Sequence, residues 1–322
     1  MSNFWLFKGK GPRTDGQTVL PLLRNDFDPT DPAGYIATDG AMHAVNVALA
    51  LGRPLLVTGE AGTGKTQLAY RVAWELTPDY PKPLRFQMKA RTDGSDLFYR
   101  YDALRHFQDV QRKQEMAKEK YLRIEALGEA ILRASLDRAA ALQYLGPGRL
   151  PEKPVRSVVL IDEIDKAPRD LPNDILAEIE DMAFEITETG DRFKADPQYR
   201  PMVLLTSNSE RDLPDAFLRR CVYHHIEPPT REQLRAIVLT RVKPSEAFSP
   251  AMLENALIRY DEIRKLVSKK KPSTDELIAW VSVLDQLRID PLQPKDGQRE
   301  ALAFTLSILL KDSQDLQNIR GE

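Results

Sequence analysis

Residues 54–66 read Pro54-Leu55-Leu56-Val57-Thr58-Gly59-Glu60-Ala61-Gly62-Thr63-Gly64-Lys65-Thr66. The stretch fits the phosphate-binding pattern G-x-x-x-x-G-K-[ST] at every fixed position, with an apolar strand before it and a helical pattern (Leu68, Ala69, Val72, Ala73, Leu76) after it. The residue types follow from the task. Glycines at 59, 62 and 64 let backbone N–H groups curl around an anion, and the helix that starts near Gly64 turns its positive end to the same place. Lys65 is placed to neutralise outer phosphates, and Thr66 to offer a hydroxyl to Mg2+, a hard cation that takes oxygen ligands.

Working outward, the chain before this stretch has two parts. Residues 1–33 carry Gly11-Pro12, Pro21, Pro29 and Pro32 among polar residues and read as an extended N-terminal arm. From Asp39 a helical face of Ala41, Val45, Val47, Ala48 and Leu51 follows, with Asp39 as its expected cap and Gly52-Arg53-Pro54 as its stop.

Beyond the loop, 84–88 read as a second strand leading into the polar turn 91–95. A long helical region is expected at 104–145, inserted between sheet strands, with stripes Leu104/Phe107/Val110 and Ile124/Leu127/Ile131/Ala134 on either side of the charged run 112–120. That run reads as a solvated helix face, with a partner-binding arm as the alternative. The continuous apolar run 157–161 has the pattern of a parallel strand buried on both faces. A helix over 172–182, a hairpin-like excursion over 183–200, a strand at 202–206 and a last short strand at 221–226 complete a core that ends at Pro228-Pro229. Thereafter four amphipathic stripes and two capping boxes, Thr230 to Gln233 and Ser273 to Glu276, predict a small helical bundle.

Composition sets outer limits. The 322 residues, 42% hydrophobic, suffice for two packed units, and 46 basic against 48 acidic residues leave a net charge of −2, so no global basic field recruits nucleic acid or an anionic membrane. A single cysteine, Cys221, excludes an intramolecular disulfide and, with four histidines, leaves no cluster at zinc-ligand spacing; a reducing, cytoplasmic setting is expected. The apolar cluster Phe4-Trp5-Leu6-Phe7 is far short of the ~18 residues of a membrane span.

Hydrolysis of a bound nucleotide needs a carboxylate for the metal and a group to orient water. Val158-Val159-Leu160-Ile161-Asp162-Glu163 supplies both: Asp162 ends an apolar strand, and Glu163 beside it can polarise water, while Asp165 reads as structural. Asn208, closing the apolar strand Val203-Leu204-Leu205-Thr206-Ser207, is either a contact to the terminal phosphate or its water, or a turn former. Arg219 and Arg220, at the end of a short helix, are either an arginine finger reaching a neighbouring subunit or surface ion-pair partners.

Taken in order, the loop, Asp162-Glu163, Asn208, Arg219-Arg220-Cys221 and the helical tail resemble AAA+ ATPases over about residues 34–310. Ile161-Asp162-Glu163-Ile164-Asp165-Lys166-Ala167-Pro168 and Leu213-Pro214-Asp215-Ala216 are most similar to the MoxR group, related to dynein-like and chelatase ATPases.

The resemblance implies an α/β fold: a three-layer P-loop AAA+ core with a parallel sheet over 34–228, a helical insertion at about 103–150, and a small all-helical lid at 229–322. It assigns Gly59 to Thr66 as Walker A, with Glu60, Ala61 and Thr63 among the residues that wrap ATP. Thr66 and Asp162 would hold Mg2+, with Glu163 as the water-polarising base, Asn208 as sensor 1, and Arg220, or in its place Arg219, as the finger. It also implies a homo-oligomeric, hexameric ring in which ATP binding and hydrolysis rotate the lid against the core. The expected role is chaperone-like remodelling or activation of a protein complex, often with a partner bearing a von Willebrand factor A domain.

Two departures stand out. Ser273-Thr274-Asp275 replaces the Ser-Pro-Arg box of sensor 2, which leaves Lys269-Lys270-Lys271 as its substitute or no sensor 2 at all, and Asp165-Lys166 stands where the group often has Asn-Arg. Phe98 and Tyr99, and the excursion 183–200, are candidate substrate-gripping elements, with core packing as the alternative for the rings. A nucleotide-gated switch with little turnover is the second reading. A nucleic-acid motor is the third, and the balanced charge and missing basic-aromatic stripe count against it.

Overall fold

The computed structural model describes residues 31–113, 116–209, 211–267 and 270–320, without the side chains of 319 and 320. The expected arm thus lies outside the described residues, except that Pro32–Gly34 form a 3₁₀ turn whose Pro32 carbonyl accepts a hydrogen bond from Arg71. Lys269 also lies outside them. The chain forms two compact units, an α/β unit of Thr30–Glu227 and a helical unit that begins at Pro228.

In the α/β unit, helix α1 (Asp39–Leu51) precedes β1 (Leu55–Thr58), the phosphate loop and α2 (Lys65–Leu76). The N-cap of α1 is Thr38, whose hydroxyl accepts from Ala41 N; Asp39 sits in the first turn instead of capping it. Next come β2 (Leu84–Gln87), β3 (Tyr99–Tyr101), α3 (Ala103–Gln111), β4 (Leu122–Ile124), α4 (Ala126–Ala134), α5 (Arg138–Leu145) and β5 (Val158–Asp162). The remainder runs α6 (Leu171–Asp174), α7 (Leu176–Asp181), β6 (Ala183–Ile186), β7 (Asp191–Lys194), β8 (Met202–Ser207), α8 (Asp215–Leu218) and β9 (Val222–His225).

Five strands form a parallel sheet in the order β2-β5-β8-β1-β9, with Leu55 opposite both Leu204 and Val222, and Thr58 opposite Ser207 and His225. β1, β5 and β8 are buried at every position, the pattern expected for central parallel strands covered on both faces. One face carries Leu55, Val57, Leu160 and Leu204 under α1 and α2; the other carries Leu56, Val159, Ile161 and Leu205 under α4 and α7. Each fully buried Leu or Ile here contributes roughly 1.5–3 kcal/mol. The sheet is what brings the carboxyl ends of β1, β5 and β8 together.

The insertion differs from the expected long helix. β3 and β4 pair antiparallel, Tyr99 against Ile124, and the helix breaks around them. α4 lies in the core with Leu127, Ala130 and Ile131 fully buried, so it covers the sheet as one of its own layers. Gly128 allows this approach: a Cβ there would lie 2.1 Å from the Phe98 carbonyl oxygen. The Leu104/Phe107/Val110 stripe of α3 is exposed, at 68%, 62% and 42%. Phe98 and Tyr99 are buried, and Phe98 stacks on Phe184 at 5.3 Å, so both rings pack the core, the alternative to substrate gripping. Expected as one helix, 172–182 is broken into α6 and α7, whereas 183–200 contains the antiparallel hairpin β6–β7.

The helical unit consists of α9 (Arg231–Val242), α10 (Pro250–Leu266), α11 (Thr274–Leu287), α12 (Arg299–Thr305) and α13 (Ser313–Arg320). Both capping boxes form, Thr230 with Gln233 and Ser273 with Glu276. Its core centres on Trp280, Tyr260, Leu257 and Leu284, and Trp280 donates to the Thr305 hydroxyl at 2.9 Å. Among the described residues no helix is long and apolar enough to cross a membrane.

Candidate functional site

The loop after β1 has the backbone its glycines permit. Gly59, Gly62 and Gly64 hold φ of 147°, 76° and 91°, and a Cβ at Gly59 would stand 2.6 Å from the Ile226 carbonyl oxygen. Gly64 is the N-cap of α2 and its carbonyl accepts from Leu68 N, so the first N–H groups of α2 open toward the loop. Thr63 closes the turn by donating to Glu60 O at 2.9 Å. Lys65 is buried, and its Nζ donates to Gly59 O and Glu60 O, both at 2.8 Å. Burial pushes its ammonium below the ordinary lysine range, and Asp165, Asp162, Glu163 and Glu60 oppose that shift.

Asp162, buried at the end of β5, is the hub. Its Oδ1 accepts from Thr66 at 3.1 Å and from Thr206 at 2.5 Å, and its Oδ2 pairs with Arg85 Nη2 at 2.7 Å. The structure thus joins the loop hydroxyl to the strand carboxylate. Oxygen donors of this kind suit Mg2+. Among the described residues no cluster of three His, Cys, Asp or Glu side chains could hold a metal alone, so a cation at Thr66 and Asp162 would share its ligands with a phosphate and water.

Glu163 follows in a left-handed backbone conformation, φ 59° and ψ 52°. The turn swings its carboxylate out of the strand, where Oε1 pairs with Lys166 Nζ at 2.6 Å and Oε2 accepts from Gln87 Nε2. Its N–H donates to Thr206 Oγ1 at 2.9 Å, so one hydroxyl fixes both acidic residues. Asp165 is buried at 3% exposure just behind them.

Asn208, half-buried, follows β8 directly and stands one strand from the loop, since Ser207 lies opposite Thr58. Arg219 and Arg220 are elsewhere. Phe217, fully buried, pins α8, and Val222 N donates to Pro54 O, so the arginines lie at the amino end of the sheet while the loop lies at its carboxyl end. Arg220 Nε pairs with Glu180 Oε1 at 2.8 Å; Arg219 is exposed. In the helical unit, Asp275 is exposed in the first turn of α11; partial burial raises its carboxyl above the ordinary range and Arg241 opposes that.

Three contributors escape a reading of the sequence: Thr206, Arg85 and Gln87. The signal was two polar residues at alternate positions of a sheet strand, and their meaning depends on register, which sets Gln87 opposite Asp162.

Residues 54–221, just over half of the chain, match the family described as AAA domain (dynein-related subfamily). No curated protein matches the sequence. Among solved structures, one described as the crystal structure of FIGL-1 AAA domain in complex with ADP aligns with 88% of this chain and 87% of that chain, at 17% identity and a TM-score of 0.42.

Proposed function

The chain belongs to the dynein-related subfamily of AAA domains, a family of nucleotide-hydrolysing ATPases, and on that premise we propose that it is a Mg2+-dependent ATPase of MoxR type. It works as a ring, in the simplest case a hexamer, that remodels or activates a partner protein complex. One observation carries the ATPase reading: Asp162 Oδ1 lies within hydrogen-bonding distance of both Thr66 and Thr206, at the mouth of a complete phosphate loop.

The residues divide the work. Backbone N–H groups from Gly59 to Thr66 bind the phosphates, and Lys65 moves from two loop carbonyls to the outer phosphate oxygens. Thr66 and Asp162 would hold Mg2+, which would supply positive charge against the phosphates. Glu163 orients and accepts a proton from the attacking water, and Asn208 stands beside the terminal phosphate. Arg220 serves the loop of a neighbouring subunit, because its place at the amino end of the sheet turns it away from its own. The MoxR resemblance supports a partner with a von Willebrand factor A domain, and the exposed Leu104/Phe107/Val110 stripe supports a protein-docking role for the insertion.

Steady-state ATP turnover tests the reading. Glu163→Gln is expected to lower turnover on the order of 10²–10⁴-fold while ATP binding persists. Wild-type turnover no higher than that of the mutant, with or without a partner, would overturn it. A second reading, a nucleotide-gated switch, draws on the fact that both Glu163 oxygens are engaged, by Lys166 and Gln87. It predicts tight ATP binding with turnover that Lys166→Ala raises.

A further inference from the structure

The amino end of the sheet carries a cleft of about 410 Å³ lined by Gly52, Arg53, Pro54, Glu180, Arg200 and Arg220. A second recess of about 310 Å³ shares Gly52, Arg53 and Arg200 with it and adds Arg156. Four arginines therefore line two recesses that share Gly52, Arg53 and Arg200.

Few carboxylates answer them. Arg220 pairs with Glu180, whose side chain is half exposed. Arg200 spends its donors on three neutral acceptors, Gly52 O at 3.0 Å, Ile179 O at 3.1 Å and Glu180 O at 2.9 Å. Burial pulls its guanidinium downward, with Asp181 and Glu180 opposing, yet an arginine stays charged in a protein. Arg156 donates to Gln198 O, and Arg53 is exposed with no ion pair among the described residues. A positive recess with so little internal compensation is built to take an anion. Guanidinium groups match phosphate oxygens in geometry as well as charge.

Position says which anion. Arg53 and the loop are separated by β1, and at ~3.3 Å per residue the chain from Arg53 to Gly59 spans roughly 15–20 Å, beyond the reach of a guanidinium to its own subunit's phosphates. The backbone pins Arg53 next to Arg220, because Pro54 O accepts from Val222 N at 2.8 Å. Resting on the ring reading above, in which Arg220 meets the phosphates held by a second copy of the chain, we propose that Arg53 acts across the same interface as a second guanidinium beside Arg220. Glu180 holds Arg220 until the phosphates replace it.

Mixed assemblies test this. Arg53→Ala should lower turnover at saturating ATP by about tenfold, with ATP affinity and thermal midpoint unchanged. Adding Lys65→Ala subunits, which keep an intact cleft but lack the loop lysine, should restore turnover per intact loop several-fold. Arg53→Ala within twofold of wild type, or a loss that Lys65→Ala subunits do not rescue, overturns the proposal. The Arg220→Ala mixture and sedimentation with a non-hydrolysable ATP analogue separate the two levels. Assembly with rescue of Arg220→Ala but not of Arg53→Ala removes the role of Arg53 alone, whereas absence of assembly removes the ring reading with it. Calorimetry with tripolyphosphate on Lys65→Ala protein distinguishes a free anion: binding that weakens more than tenfold on Arg53→Ala while Arg53→Ala turnover stays within twofold of wild type marks a free-polyanion site and overturns the proposal. Should Arg53→Ala lower the thermal midpoint, Arg53→Gln replaces it under the same criteria.

Discussion

The two ends of the central sheet handle charge in opposite ways. At the carboxyl end, Asp162 meets Arg85, Thr66 and Thr206, and Glu163 meets Lys166 and Gln87, so the acidic pair is matched within one subunit. At the amino end, Arg220 pairs with Glu180, and Arg53, Arg156 and Arg200 have no ion pair among the described residues. One end gathers its acidic residues with their own polar and cationic neighbours; the other, on the proposal above, is a half-site whose anion a second copy supplies. Both follow from a short β1, four residues long, with the loop at one end and Arg53-Pro54 at the other.

That contrast can be broken or sharpened in three steps. The largest effect is expected at the amino end, where Arg200→Met leaves three carbonyls without their donor. Unfolding stability should fall by about 2–3 kcal/mol in urea melts, and an unchanged midpoint would show that Arg200 is not part of the scaffold. Next, Thr206→Val removes the hydroxyl shared by Asp162 and the Glu163 N–H. Turnover should drop roughly 10–100-fold with ATP binding retained, a split that equal losses in both would contradict. Smallest is Arg85→Met, which frees Asp162 Oδ2; the Mg2+ concentration for half-maximal turnover should move by about tenfold or less. A shift in ATP affinity with no change in Mg2+ dependence would place Arg85 outside the metal site.

Much of the carboxyl end was legible in the sequence because its signals are local. The phosphate loop, the apolar runs of β5 and β8 and both capping boxes depend on residues a few positions apart. The α/β class with its parallel sheet follows from the same runs. What stayed hidden depends on register or on strands too short to show a period. Tyr99–Tyr101 and Leu122–Ile124 are three residues each, and their pairing across the charged run 112–120 left only a helical impression. Gly128 gave no hint of its close approach to Phe98, since a glycine inside an apolar helical stripe reads as a weak spot until the neighbouring backbone is known. Arg85, Gln87 and Thr206 converge on the acidic pair only once the strand order sets β2 and β8 on either side of β5.

The left-handed backbone at Glu163 has a consequence for how this fold can be improved or worn down. A residue with a Cβ gives up about 1–2 kcal/mol in that conformation, which glycine does not. Glu163→Gly should therefore melt higher than Glu163→Ala, although both lack the carboxylate and its contacts to Lys166 and Gln87. Selection for stability alone would drift toward glycine at position 163. On the proposed role of Glu163 as base, chemistry outweighs thermal robustness at that position, and a thermostabilised variant should seek its gains away from Glu163 and the residues gathered around Asp162.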